Sequence, residues 1–232
     1  MKISVCIPTY EANGQGVFFL KKNIDSILSQ TYTNFEIIVS DHSTDNEIKN
    51  YISSLKNERI NYLRYTENIG WPAFNTNNAI KNSTGDYIKL MNLDDYIEGP
   101  DTFEMMISIL KEGYKWLISG CKHYDYNTEI FYNPIIPRIE GDGTHLLKGV
   151  NYVGCPSVGL IPKNEFFDTN VKYMIDCEIW YRLFKKYGYP GVLKDYRIVI
   201  GMGSHTLTNQ LVAKHTEWLN DDIKYCAEIF LK

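Results

Sequence analysis

The chain predicts an α/β protein, with a mostly parallel sheet, helices on both faces and a less regular second half. Three observations lead there. Strand-like and helix-like segments alternate through the first half, which is the pattern of parallel strands joined by crossover helices. Each of the first four strand-like runs ends on polar or turn-forming residues. Two adjacent carboxylates, Asp94 and Asp95, close the fourth of these runs. Unpaired carboxylates are costly to bury, so they belong where the strand leaves the core.

The elements follow in order. Residues 3–8 read as a buried strand. Leu20, Ile24, Ile27 and Leu28 fall on one helical face. Residues 35–40 form a second apolar run. Asp45 is placed to cap a helix that turns Ile48, Ile52 and Leu55 inward. Residues 60–65 are a third strand. Pro72 suits the first turn of a helix reaching about residue 82. Gly85 then turns the chain into the strand before Asp94. Beyond it, residues 101–110 read as a helix and 116–121 as a strand. Residues 124–150, with their Asn, Pro and Gly, read as a long hairpin or mobile loop. Residues 158–161 read as a strand. Ile175, Ile179, Leu183 and Phe184 make a helical stripe. Residues 196–200 are a last strand, 201–204 a flexible glycine loop, and 207–232 a helical tail. Without a repeat or linker, the expectation is one domain over 1–232, divided functionally near residue 100.

Composition narrows the classes of function. The 232 residues are 44% hydrophobic, enough for a sizeable core. A net charge of −4 argues against a general nucleic-acid binder. The five cysteines are odd in number and scattered, which suits free thiols in a reducing compartment. Met1 leads directly into a strand-like run, and no apolar stretch approaches the ~20 residues of a membrane span. These point to a cytoplasmic protein, with peripheral association at the inner face of a membrane still compatible. The sequence is silent on oligomeric state.

In open parallel sheets, ligands bind outside the carboxyl ends of the strands. Here those ends carry Pro8-Thr9-Tyr10, Asp41-His42-Ser43, Asn68-Ile69-Gly70 and Asp94-Asp95, so independent motifs converge on one edge. Asp-Asp after a strand is often a plain turn. At the mouth of a strand it can also hold a hard divalent cation, which can in turn hold a diphosphate.

Pro8-Thr9-Tyr10, Ser26-Ile27-Leu28-Ser29-Gln30-Thr31-Tyr32, Phe35-Glu36-Ile37-Ile38-Val39, Asp41-His42-Ser43-Thr44-Asp45 and Leu93-Asp94-Asp95, in this order and spacing, resemble the inverting family 2 glycosyltransferases of the GT-A fold. The resemblance is close over about the first hundred residues and looser beyond. It implies a nucleoside diphosphate sugar as donor and a hydroxyl on a glycan or lipid-linked glycan as acceptor. It implies that Pro8, Thr9 and Tyr10 contact the nucleotide, with Asn68 and Gly70 on the same edge, and that Asp41 accepts a hydrogen bond from base or ribose. The metal motif, commonly Asp-X-Asp-Asp, reads Asn92-Leu93-Asp94-Asp95. Asp95 is matched to the metal, Asp94 to the metal or ribose, Asn92 to the ribose, and the ion would be Mn²⁺ or Mg²⁺. His205 matches a histidine that reaches the metal or diphosphate. Asp176, in Met174-Ile175-Asp176-Cys177-Glu178, matches the catalytic base, with Glu178 as the fallback. Gly154-Cys155-Pro156-Ser157 matches a region near the acceptor, and Trp71 packs on either the donor or the core.

The chain departs from the pattern at Ser40, Asn92 and Ile175, where relatives carry acids. It departs at His42, where glycine is frequent, and over residues 74–78, which lack a familiar arginine. Two other classes remain open: a nucleotide-sugar-binding module that has lost catalysis, and a sugar nucleotidyltransferase. A dehydrogenase would need a GxGxxG after the first strand, which is missing here.

Overall fold

The computed structural model describes residues 1–206 and 216–231. In chain order its strands are β1 (Ile3–Thr9), β2 (Phe35–Asp41), β3 (Ile60–Arg64), β4 (Tyr87–Leu90), β5 (Tyr96–Ile97), β6 (Leu117–Asp125), β7 (Ile130–Ile135), β8 (Gly159–Pro162) and β9 (Gly191–Met202). Its helices are α1 (Gly16–Leu28), α2 (Glu47–Leu55), α3 (Pro72–Lys81), α4 (Thr102–Lys111), α5 (Ile175–Tyr187) and α6 (Thr216–Phe230).

The strands form one sheet in the order β3-β2-β1-β4-β8-β6-β9-β5, with β7 paired to β6. The first four in space, β3 to β4, are mutually parallel. The rest is mixed: β8 is antiparallel to β4 and β6, while β6 and β9 run parallel. From β1 the chain steps outward to β2 and β3, then returns across both to place β4 on the other side of β1. Right-handed crossovers therefore put α3 on the face opposite α1 and α2. The switch in direction lies between β1 and β4, which is where such sheets open a crevice.

Burial follows the periodicity. Phe19, Leu20, Ile24 and Ile27 of α1 are buried, and β1 and β2 are buried nearly throughout, as central parallel strands must be. Asp45 does serve the start of α2, its Oδ1 accepting the Glu47 N–H at 3.0 Å.

Two expectations change, at the fourth strand and at the glycine loop, and two are narrowed. The fourth strand stops at Leu90, so residues 91–95 leave the sheet before the acidic pair. Residues 124–150 contain the β6–β7 hairpin and a short 3-10 turn at Leu146–Lys148. Gly201 and Met202 belong to β9 and are not a flexible loop; hydrogen-bonded strand pairing carries β9 beside β6 as far as Met202. The tail is helical over Thr216–Phe230, while residues 207–215 lie outside the described residues. No helix among the described residues is long and apolar enough to cross a membrane.

Candidate active site

A cleft of about 670 Å³ opens at the carboxyl ends of the parallel strands. Pro8, Thr9, Tyr10, Gly70, Asn92, Asp94, Asp95, Asp176 and His205 all line it. Residues nominated from three strand ends, one helix start and one distant loop thus meet at a single place.

The β1 end is held from α3. Asn75 donates to the Thr9 carbonyl at 3.1 Å and accepts from the Ser40 hydroxyl at 2.7 Å. Asn78 also donates to that hydroxyl. The serine standing where relatives carry an acid is therefore the middle of a buried amide network. Tyr10 reaches across the cleft, donating to the His205 carbonyl at 3.0 Å.

Two predicted nucleotide residues are placed differently. Asp41 does not line the cleft. Its side chain is fully buried, with Oδ1 accepting the Ser43 N–H at 2.8 Å and Oδ2 the Tyr62 hydroxyl at 2.6 Å. Arg64 lies 3.5 Å from the same carboxylate. A buried charge needs such partners, and they come from β3, whose contribution local sequence does not show. Asn68 adopts a left-handed turn (φ +52°) and its carbonyl accepts the Trp71 N–H. This leaves Ile69 and Gly70 on the wall. Trp71 itself stacks on Trp218 of α6.

The acidic pair sits in a loop braced from three sides. Asn23 of α1 donates to the Asn92 carbonyl at 2.7 Å, Ser157 accepts the Asn92 N–H at 2.8 Å, and Tyr126 donates to the Asp94 carbonyl at 3.0 Å. Strand β9 presses so closely on the loop that a Cβ at Gly201 would fall 2.3 Å from the Asp94 carbonyl oxygen. Only glycine fits there. The Gly201 N–H in turn donates to Asp95 Oδ1 at 2.8 Å, and the Cys155 thiol meets Oδ2 at 3.7 Å. Burial, reinforced by the neighbouring Asp94 carboxylate, pushes the Asp95 carboxyl well above its usual range. Beneath the site Lys89 is wholly buried, its ammonium donating to the Leu90 and Ser157 carbonyls, and burial pushes its pKa down to about 7. Nothing in the local pattern marked Lys89 or Asn151, and the readings of Ser157 as near the acceptor and of Gly201 as loop did not show their contacts with the acidic pair. Each acts through a partner tens of residues away.

His205 stacks on Phe19 at 4.2 Å, and its Nε2 lies 2.9 Å from Asp94 Oδ2. A carboxylate and an imidazole side by side suit a hard or borderline divalent ion such as Mn²⁺. The three predicted metal residues do not make a closed cage. No group of three His, Cys, Asp or Glu side chains among the described residues is arranged to hold an ion. Asp95 is turned toward Gly201 and Cys155, which leaves Asp94 and His205 as the adjacent pair of candidate ligands among the described residues.

Asp176 stands in the first turn of α5. Its Oδ1 accepts the Cys177 N–H at 2.8 Å and its Oδ2 accepts from the Asn151 amide at 2.8 Å. Burial pushes its pKa up to about 6. Asn151 also donates to the Gly154 carbonyl at 3.1 Å. One loop, residues 151–157, therefore touches both Asp176 and Asp95. Glu178, the fallback base, is buried and ion-paired to Arg182 at 2.7 Å. It does not face the cleft.

Comparison with known proteins adds the following. The family model described as glycosyl transferase family 2 matches residues 4–169. An uncharacterized glycosyltransferase of Rickettsia prowazekii is 30% identical over 233 residues, spanning 93% of this chain and 70% of that protein. The Campylobacter jejuni GalNAc(5)-diNAcBac-PP-undecaprenol beta-1,3-glucosyltransferase is 27% identical over 122 residues, 52% of this chain and 38% of that protein. The crystal structure of S. aureus TarS in complex with UDP-GlcNAc superimposes with a TM-score of 0.68 at 18% identity, covering 88% of this chain and 59% of that one. At that identity the likeness speaks to the fold, which is GT-A.

Proposed function

The chain belongs to glycosyl transferase family 2, and on that premise we propose that it moves a sugar from a nucleoside diphosphate donor to an acceptor hydroxyl, inverting the anomeric carbon. The observation that carries this reading is a single cleft lined both by Asp94 with His205 and by Asp176. Inversion in one step needs one base to take the acceptor's proton as the new bond forms, while the diphosphate leaves from the opposite face. Asp176 fits that role. It is half-buried, held by one side-chain amide and one backbone N–H, and free of any ion pair among the described residues. Its raised pKa keeps it ionised at neutral pH while making it a stronger base than an exposed carboxylate.

Charge supports a metal. Glu11, Asp94, Asp95 and Asp176 line the cleft against the lone cation Lys172 among the described lining residues. A diphosphate would meet net repulsion there. A bound Mn²⁺ or Mg²⁺, held by Asp94 and His205 with Asp95 behind them, would neutralise the leaving diphosphate as a Lewis acid. The UDP-GlcNAc complex of TarS favours a nucleotide-sugar donor, and the undecaprenol-linked substrate named for the Campylobacter relative favours a lipid-linked glycan among the acceptors. Cytoplasmic action with peripheral membrane attachment goes with such an acceptor.

The test is Asp176→Asn, with transfer and donor binding measured separately. Transfer should fall by about 100-fold or more, and donor affinity should stay within about twofold. Transfer at the parental rate removes Asp176 from the base role.

A further inference from the structure

Next to the buried Asp41, the chain carries a histidine whose ring closes the nucleotide end of the cleft. His42 lines the cleft and is 6% exposed. Its backbone N–H donates to the Thr9 carbonyl at 3.0 Å, which seats it against the β1 end. Its ring lies nearly parallel to that of Tyr65, 5.1 Å away with 13° between planes. Among the described residues its Nε2 is buried and has no hydrogen-bond partner. In the neutral ring one nitrogen carries the proton and the other a lone pair, and the Nδ1–H tautomer leaves that lone pair on Nε2. Burial, against smaller upward pulls from the Glu67 backbone and Asp41, lowers the imidazole pKa and so favours the neutral ring.

A buried acceptor with no partner is costly, and such groups in native proteins call for an explanation. Here the group that would ordinarily meet the base is spent elsewhere: both oxygens of Asp41 are taken by Ser43 and Tyr62. We propose that His42 reads the nucleobase of the donor, its Nε2 accepting the ring N–H at the base's pairing edge. This rests on the donor reading above and deepens it. Uracil and guanine carry a proton on that ring nitrogen. Cytosine and adenine present a lone pair there, which would face the Nε2 lone pair. The chemistry His42 selects is thus the ring N–H, offered by uracil or guanine.

The experiment measures binding of UDP, CDP, GDP and ADP to the full chain, with Mn²⁺, by titration calorimetry. UDP against CDP and GDP against ADP are near-isosteric pairs that differ at the ring nitrogen. The parent should prefer UDP to CDP, or GDP to ADP, by about tenfold or more, and whichever pair shows the preference identifies the base. In His42→Phe, which keeps a flat ring against Tyr65 and removes the acceptor, that ratio should fall to within about twofold of unity. His42→Gln, which restores a carbonyl acceptor, should recover part of it. A parental ratio near one, or a ratio unchanged in His42→Phe, overturns the assignment while leaving the donor reading intact. If His42→Phe fails to fold, the parental ratio and the glutamine variant still decide. Failure of all four nucleotides to bind overturns both.

Discussion

At Asp176 the oxygen that faces Asn151 has two claims on it, one from the fold and one from the chemistry. A first-turn carboxylate that merely capped α5 would be stabilised as the anion, with a lowered pKa. This one is raised to about 6, above an ordinary aspartate, because burial outweighs its two hydrogen bonds. The linkage has a definite sign. A carboxyl whose folded pKa exceeds its unfolded value gives its full stability below pH 4 and loses it as pH rises through 6. Relative to the parent, Asp176→Asn should therefore gain stability between pH 4 and pH 7.5. The gain should be on the order of 1–2 kcal/mol, read as a change in the difference in Tm whatever the offset from altered hydrogen bonding. In the parent, transfer should fall off below about pH 6. A variant that loses ground over that pH interval would mark Asp176 as a plain cap. The resemblance placed Asp176 here, but it left Glu178 as an alternative. Only the Arg182 ion pair, one turn along α5, removes it. Asp41 was legible as an acid at a strand end. Its inward turn was not, because Tyr62 and Arg64 reach it from a neighbouring strand.

Among the elements, α6 holds the segment that leads to the proposed base. Asp222 is buried, and its carboxylate accepts the backbone N–H groups of Lys172, Tyr173 and Met174 at 2.6–3.1 Å. These residues lead directly into α5, and a carboxylate gathering several N–H groups makes strong, charge-assisted bonds. On the proposed reading, Asp222 acts as a positioning residue for Asp176. Asp222→Ala should cost roughly 2–3 kcal/mol of stability. It should also lower kcat by about tenfold or more, while KM for the donor moves little. Asp222→Asn should restore part of both. Equal losses in kcat and donor affinity, or a loss of stability alone, would deny it the positioning role. The helix was readable as part of a helical tail over 207–232; its clasp on a segment 50 residues earlier was not. The same holds for β9. Its run past Ile200 depends on pairing with β6 and on Gly201 fitting against Asp94, so glycines that looked like a loop in sequence are strand in space.

For the molecule as a whole, the order of the strands does what no single motif does. Stepping outward from β1 and then returning to its other side opens the cleft between β1 and β4, and the later strands bring Gly201 and His205 to the same opening. That convergence was legible from the polar strand ends. What was not legible is how one-sided the cleft's charge is: among the described residues, four carboxylates and one lysine line it. The lysine is turned over Trp71 and Trp218, with its ammonium 5.9 and 5.7 Å from the two rings. Nucleotide and cation should then bind interdependently. A nucleoside diphosphate brings charge that this cleft repels, and a cation alone finds only Asp94 and His205 side by side. Thermal unfolding of the full chain reads this directly. UDP in EDTA, and Mn²⁺ alone, should each move Tm by no more than about 1–2 °C. The two together, at roughly 100 times the dissociation constant, should contribute about 2.7 kcal/mol. That corresponds to a rise of roughly 5–10 °C for a protein of this size. If UDP carries no preferred base, GDP takes its place in the same design. Asp94→Asn should weaken the joint shift while leaving the small nucleotide-only shift untouched, because the amide keeps the loop's shape and removes the charge. A full shift from nucleotide in EDTA would mean that the chain neutralises the diphosphate by itself, and the metal would leave the account.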